Sequence, residues 1–452
     1  MESTPQTLHL ERPIELYMSQ ELESLFLRLK SADIRWRMAD SKPTRKRKIK
    51  RAHRARCMYL VEGGRWLLFA SNTGCITYFD LDASKLTERI LIPDQIDGYA
   101  KNCIAMAIDR DNDSALLAFK LAVSFCLIDT PPPYPKAQGV RIWRVELALN
   151  GQQRGIGLTA EHLASFPLEP SVTKIFCQSI GGPYVALFIG YENCQQTSII
   201  DWKQADGDQM NYPRRLLHLP SGEEPVCLIF LTTIMTIFTT CQEAIHILPG
   251  NKLFTITREG VMIFDYSRIP EKTLLPPVGP TVADPIVTPL WRARSTGGIN
   301  IGHQPSSISK PFFCSHSIRF SIREKSTVYG VIIDYPYNEG PIEPLGRVVK
   351  FAEKRGIPHQ PHELECYGYN KAAILSNRLG TYLFNYTWPD EQNDDPLPVS
   401  LYREDTFRIC NFGPFLDEPS GRLIVPASVS LKPQRYCSFN RIDIWDFALL
   451  YK

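Results

Sequence analysis

The stretch "GGRWLLFASNTGCITYFDLD", Gly63 to Asp82, reads as strand, turn and strand and closes on an aromatic residue followed by aspartate. The same order recurs along the chain. "AIHILPGNKLFTITREGVMIFDYSR" from Ala244 aligns with it. Weaker copies hold Ile142-Trp143-Arg144, Ile200-Asp201, Ile333-Asp334, Phe384-Asn385 and Ile444-Trp445-Asp446. Taking the polar residue after the apolar one as a marker gives positions 80, 144, 201, 265, 334, 385 and 446, with gaps of 64, 57, 64, 69, 51 and 61. Spacing this even points to a repeat architecture rather than to unrelated hairpins.

A fourth strand follows most markers: "KLTERILIP", "EHLASFPLEP", "YPRRLLHLP", "EPLGRVVKF" and "LPVSLYRE". After the fourth marker no clean example follows, and the nearest candidate is "EKTLLPPVGP". Each unit is thus four short strands of alternating polarity, separated by turn residues. A lone four-stranded sheet leaves both faces uncovered. Stacking such sheets around an axis covers the faces and leaves only short edges. The expectation is an all-β chain, a single β-propeller of seven four-stranded blades, with six or eight as alternatives. The 35 prolines agree, because they break long helices.

Only "FALLYK" follows the seventh marker, so the last blade lacks its outer strand. Residues Arg45 to Ala52, just before the first unit, are expected to supply it and close the ring. The predicted division is residues 1–40 as an N-terminal helical segment and 41–452 as the propeller, closed near 45–52. "SQELESLFLRLKSADIRW" reads as one amphipathic helix, with Ser19 as its cap and Glu21 in the positive first turn. Leu22, Leu25, Phe26 and Leu29 form its apolar stripe. That stripe either packs on the propeller floor, the favoured reading, or holds the ring against a partner subunit.

Net charge is +3, yet Ser41 to Arg56 carries nine Lys/Arg and no acid. The rest of the chain has 42 basic against 48 acidic residues. A mildly acidic body argues against a nucleic-acid surface spread over the domain. The run containing Arg45, Lys46, Arg47 and Lys48 could serve nuclear import or bind phosphate. A solvated edge strand, guarded by its lysines against aggregation, is preferred. Partner binding, if it uses either feature, is expected on the helix stripe or on this run.

No basic-then-apolar leader begins the chain. The most apolar run, Val226 to Thr240, is shorter than a membrane span and β-branched, and it reads as one or two strands. Twelve cysteines stand singly, several in apolar runs (Cys57, Cys103, Cys126, Cys177, Cys227), which fits free buried thiols in a reducing compartment. A cytoplasmic or nuclear location is expected, and the sequons at Asn112 and Asn385 are read as chance matches. His359, His362 and Cys366 lack the further ligands a zinc site needs, and "DRDND" at 109–113 lacks the glycine and glutamate of a calcium loop. No GxSxG, GxxxxGK[ST] or HExxH motif occurs. No cofactor, metal or catalytic residue is therefore expected. The leading function is a non-catalytic protein-interaction module, and the alternative is a propeller enzyme with a site at the channel mouth.

The leucine-rich helix Leu22–Trp36, its "ADIRW" tail, the basic stretch and then Gly63 to Asp82 together resemble the post-F-box region of basidiomycete fungal F-box proteins. Those carry a degenerate WD40-like propeller. The resemblance covers about Leu22 to Trp445, most specifically at Gly63 to Asp82. It implies a substrate receptor of an SCF-type ubiquitin ligase, whose F-box binds Skp1 and whose propeller presents a ubiquitination substrate. Only 18 residues precede the helix here, and the three-helix F-box does not fit within them. The expectation is an F-box-less relative or a truncated chain, with Skp1 binding doubtful without that unit.

Overall fold

A computed structural model of the chain describes residues 9–38, 42–94, 101–128, 138–191, 195–217, 245–257, 260–273, 287–294, 308–324, 327–335, 346–353, 364–376, 380–390, 399–402, 414–427 and 439–449. The described strands form six antiparallel sheets. The first set is β1 (Arg45–Leu60), β2 (Trp66–Ser71), β3 (Ile76–Asp80) and β4 (Arg89–Ile92). The second is β5 (Lys101–Arg110), β6 (Ala118–Ile128), β7 (Gly139–Leu149) and β8 (Gly155–Pro167). The third is β9 (Lys174–Gly181), β10 (Tyr184–Gly190), β11 (Gln195–Asp201) and β12 (Arg214–Leu217). The fourth contains β13 (Ile245–Leu248), β14 (Lys252–Thr257) and β15 (Gly260–Asp265), after which β16 (Glu271–Lys272) and β17 (Trp291–Arg294) diverge. Then come β18 (Phe312–Cys314), β19 (Ser317–Glu324), β20 (Thr327–Asp334) and β21 (Gly346–Glu353). They are followed by β22 (Leu364–Tyr367), β23 (Lys371–Ser376), β24 (Gly380–Asn385) and β25 (Val399–Tyr402). The last strands are β26 (Phe415–Asp417), β27 (Arg422–Ala427) and β28 (Phe439–Asp446).

The sheets make a single β-propeller. Apolar clusters join each sheet to the next: Trp66 with Phe119, Val140 with Ile180, and Phe188 with Phe264. Phe254 stacks on Phe320 at 3.9 Å, Val328 packs with Ile374, and Leu375 packs with Leu423. The ring closes on itself through β1. Arg45–Lys50 pairs with β28, and Ala55–Leu60 pairs with β2, with an irregularity between Lys50 and Ala55. Strands covered on both faces need apolar residues throughout, which is why "WLLFAS" is buried at every position.

Two expectations are corrected. Seven separate four-stranded blades are not formed. Among the described residues, four sheets have four strands and one has five, while β26-β27-β28-β1-β2-β3-β4 is one seven-stranded sheet. The reason is that β1 runs for sixteen residues without Gly or Pro, so no turn separates the two strand sets it serves. The fourth strand after Asp265 is also not "EKTLLPPVGP". Glu271 and Lys272 extend the preceding sheet beside β12, and β17 pairs with β15 instead.

Helix α1 spans Ser19–Arg37 and starts one residue before the sequence reading. Met18, not Ser19, takes the N-cap position, and the Glu21 carboxylate accepts from its N–H at 2.9 Å. The fully buried positions of α1 are Ser31, Ala32 and Trp36. Leu22, Leu25 and Leu29 are half-buried, while Phe26 is 52% exposed. No described helix is long and apolar enough to cross a membrane. Cys57, Cys126 and Cys366 are buried and Cys75 and Cys314 half-buried, all as thiols outside any disulfide. Residues 226–240, Cys227, His359 and His362, and the side chains of Cys103 and Cys177, lie outside the described set.

Candidate functional site

The repeat markers first explain themselves as structural groups. Asp265 lies opposite Lys252 in register and pairs with it at 2.7 Å. Asp446 lies opposite Arg422 and pairs at 2.7 Å. Asp80 takes a bidentate pair from Arg65, at 3.0 and 2.8 Å. Each acid thus ties the end of a third strand to the start of a second. In the set formed by β22–β25 the marker is Asn385, facing Lys371. Its lysine finds a carboxylate elsewhere: Asp33 of α1, at 3.1 Å. The Asn385 amide donates to the Trp36 carbonyl at 2.9 Å. The missing acid is therefore where the helix docks.

From there α1 crosses the junction where the chain's two ends meet. Trp36 packs on Phe447 with ring centres 4.5 Å apart, and Leu449 N–H donates to Ser31 Oγ at 2.9 Å. Gly421, at φ +64°, leaves the space that Ala32 Cβ fills. Arg28 donates both ways to Asp82, at 3.0 and 2.9 Å. Beneath it Arg422, fully buried, donates to Asp446, to Asp82 at 3.0 Å and to the Gly64 carbonyl. Gly64 has φ +71°, and a Cβ there would strike Ser420 Oγ at 2.1 Å. This close approach accounts for the glycine pair that opens the repeat. Burial alone would raise the Asp82 and Asp446 carboxyls. Arg28 and Arg422 overcome this at Asp82, and Arg422 and Arg47 at Asp446, so both stay below the usual range.

Of the basic run, Arg45 and Arg47 both reach Asp446, at 3.0 and 2.9 Å, and Lys46 and Lys48 are exposed. Burial, ahead of the opposing pull of Asp446, lowers Arg47 to about 10. Lys46 also lies over the Trp445 ring of β28, at 5.5 Å from its centre, so the run is largely engaged in the ring junction.

On the same face, the central channel opens into a cavity of about 630 Å³, lined by the first strands of the sets and the turns after them. Its ionised groups answer one another. Lys310 donates to Glu62 at 2.8 Å, and Arg110 reaches Glu62 at 3.5 Å and His9 Nδ1 at 2.8 Å. Lys310 is the main reason that the Glu62 carboxyl falls to about 2, against the cost of burial. Burial holds the His9 imidazole below its usual value. Glu11 then anchors the N-terminal segment, accepting from Trp66 Nε1 at 2.6 Å and Arg65 at 2.7 Å. Phe313, 47% exposed, stands at the rim. Among the described residues no group of three His, Cys, Asp or Glu could hold a metal ion.

No protein-family model matches this chain, and no curated protein sequence matches it. Neither comparison supports membership of the basidiomycete F-box family. Solved structures of similar shape include the β-propeller domain of Myceliophteria thermophila Cps50 (Swd1), at TM-score 0.46 and 11% identity, covering 90% of this chain and 99% of that one. U3-55K matches at TM-score 0.44 and 9% identity, over 90% and 99% of the two chains. The WD40 domain of SCAP from fission yeast matches at 0.37 and 10%, over 87% and 84%. The propeller described above rests on its own strand pairing.

Arg422, Asp82 and Trp36, the centre of the ring junction, were not singled out by the sequence reading. A signal exists for Arg422 alone, the basic residue opposite a marker acid as at Asp265 and Asp446, and it appears only once strand register is known.

Proposed function

We propose that this chain is a non-catalytic protein-interaction scaffold that seats a protein partner on the channel-mouth face. The observation that carries this is the rim of the 630 Å³ cavity, where Phe313 is 47% exposed beside ionised groups already paired with one another. Paired charges of this kind position a surface, and an exposed aromatic at the edge of a pocket is the usual anchor of an interface. The test is affinity capture from the source cells with the wild-type chain, with Phe313→Glu and with Ile90→Glu, an exposed apolar residue on β4. Partners lost with Phe313→Glu and kept with Ile90→Glu support the reading. Partners kept with both remove it.

The finer reading, a receptor for ubiquitination substrates, rests on the resemblance of Leu22–Trp36 and Gly63–Asp82 alone. Its test is whether Skp1 and a cullin are recovered in the same capture.

A further inference from the structure

Helix α1 is buried on one side only. Five of the nine exposed large apolar side chains among the described residues belong to this helix or its flanks: Ile14, Met18, Phe26, Ile34 and Met38. Met18, Phe26 and Ile34 follow one row of α1 with a step of four, from its N-cap through 22, 26, 30 and 34, in which Leu22 is half-buried and Lys30 is exposed; Ile14, in the 3-10 turn before the helix, and Met38, its C-cap, flank that row. Ridges of this step are the ones that interdigitate in the commonest helix–helix packing, crossing at about −50°.

The ridge is also nearly a palindrome about Phe26. Reversing it places Met18 against Ile34, Leu22 against the Lys30 stem, and Phe26 against itself. Charge follows the same symmetry. Glu23 is exposed on the N-terminal side of Phe26 and Lys30 on the C-terminal side, and no ion pair within the described chain involves either. Lys30 instead lies over the Phe26 ring at 5.6 Å. An antiparallel copy brings Lys30 of one chain to Glu23 of the other, twice, whereas a parallel copy sets like charge against like. Two-fold contacts require this kind of self-complementary patch.

We infer that the outer face of α1 is a self-association surface and that its occupant is the α1 of a second copy of this chain, antiparallel, with the two-fold axis at Phe26. One helix face is smaller than the roughly 1,600 Å² of a standard interface, so the dimer is reversible and concentration-dependent. The inference is independent of the partner site proposed at the channel mouth.

Sedimentation velocity on the full chain, from about 1 to about 200 µM, tests it, with the range set by the weak-interface class. The expected result is a monomer–dimer equilibrium that weakens at least tenfold in Phe26→Asp, with unchanged circular dichroism and melting temperature. Glu23→Lys and Lys30→Glu should each weaken the dimer, and the double exchange should restore it. A wild-type chain that stays monomeric over the range would overturn the inference. So would a dimer indifferent to Phe26→Asp, or one that the double exchange leaves broken.

Discussion

The ring is held together differently at its two sides. Between β13–β15 and β18–β20, the described residues of successive sheets meet mainly through apolar and aromatic packing: Phe254 stacked on Phe320, the His246 ring beside Phe320, and Ile263, Ile318 and Val331 around them. Where β28 meets β1, the core is apolar too, with Phe69 against Phe439, but a buried Arg422 joins Asp446, Asp82 and Gly64 above it, and α1 lies across the top. The first junction joins neighbours in sequence. The second joins residues some 400 apart, as in Arg45 with Asp446. A junction with no connecting loop has nothing local to fix its register. Directional hydrogen bonds and charges supply what the loop would have supplied.

That contrast can be broken from either side. Arg422→Ala leaves the buried Asp446 and the partly exposed Asp82 without their shared cation, and loss of the buried Arg422–Asp446 pair is expected to cost about 3–5 kcal/mol in urea unfolding at neutral pH. Phe254→Ala is expected to cost a similar 3–5 kcal/mol through a cavity. The two should separate with pH. Asp82 and Asp446 have lowered folded pKa values, so their stabilisation is complete above the ordinary carboxylate range and is lost as pH falls through the folded values. The deficit of Arg422→Ala against wild type should therefore shrink between about pH 5 and about pH 2, while that of Phe254→Ala stays constant. A constant Arg422→Ala deficit would show that the junction is held by packing alone.

Smaller changes sharpen the role of the helix. Asn385→Asp removes the donor to the Trp36 carbonyl and should cost about 1 kcal/mol. Hydrogen exchange should rise across α1 and stay unchanged in β14 and β19. Arg37→Ala breaks an i,i+4 pair with Asp33 in which Arg37 is 54% exposed, so a loss under about 0.5 kcal/mol is expected.

Much of the strand pattern could be read from the chain because it is local. The hairpin β2–β3 follows from two apolar runs around Asn72-Thr73-Gly74, and β14–β15 from a second copy of the same pattern. The strand of Trp291–Arg294 is not legible in the repeat because it stands far from its marker, Asp265. The fused seven-stranded sheet was missed because nothing in "RKRKIKRAHRARCMYL" marks where one partner gives way to the other. For the helix, hydrophobicity picked out Leu22, Leu25, Phe26 and Leu29, whereas the buried contact is made by Ala32 and Trp36. Periodicity reports that a helix is amphipathic, but it does not say which apolar residues meet the body and which face outward.

What the sequence settled by itself was the unit: short alternating strands between turns, repeated until the only way to cover every face was a ring. Backbone sterics and side-chain polarity act over a few residues, and a single chain displays both. What the tertiary structure alone decided was how the ring is locked. The partners of Arg422, the substitution of Asp33 for an acid that Asn385 cannot provide, and the outward turn of Phe26 all depend on residues hundreds of positions apart being brought within about 3 Å, the range in which hydrogen bonds act.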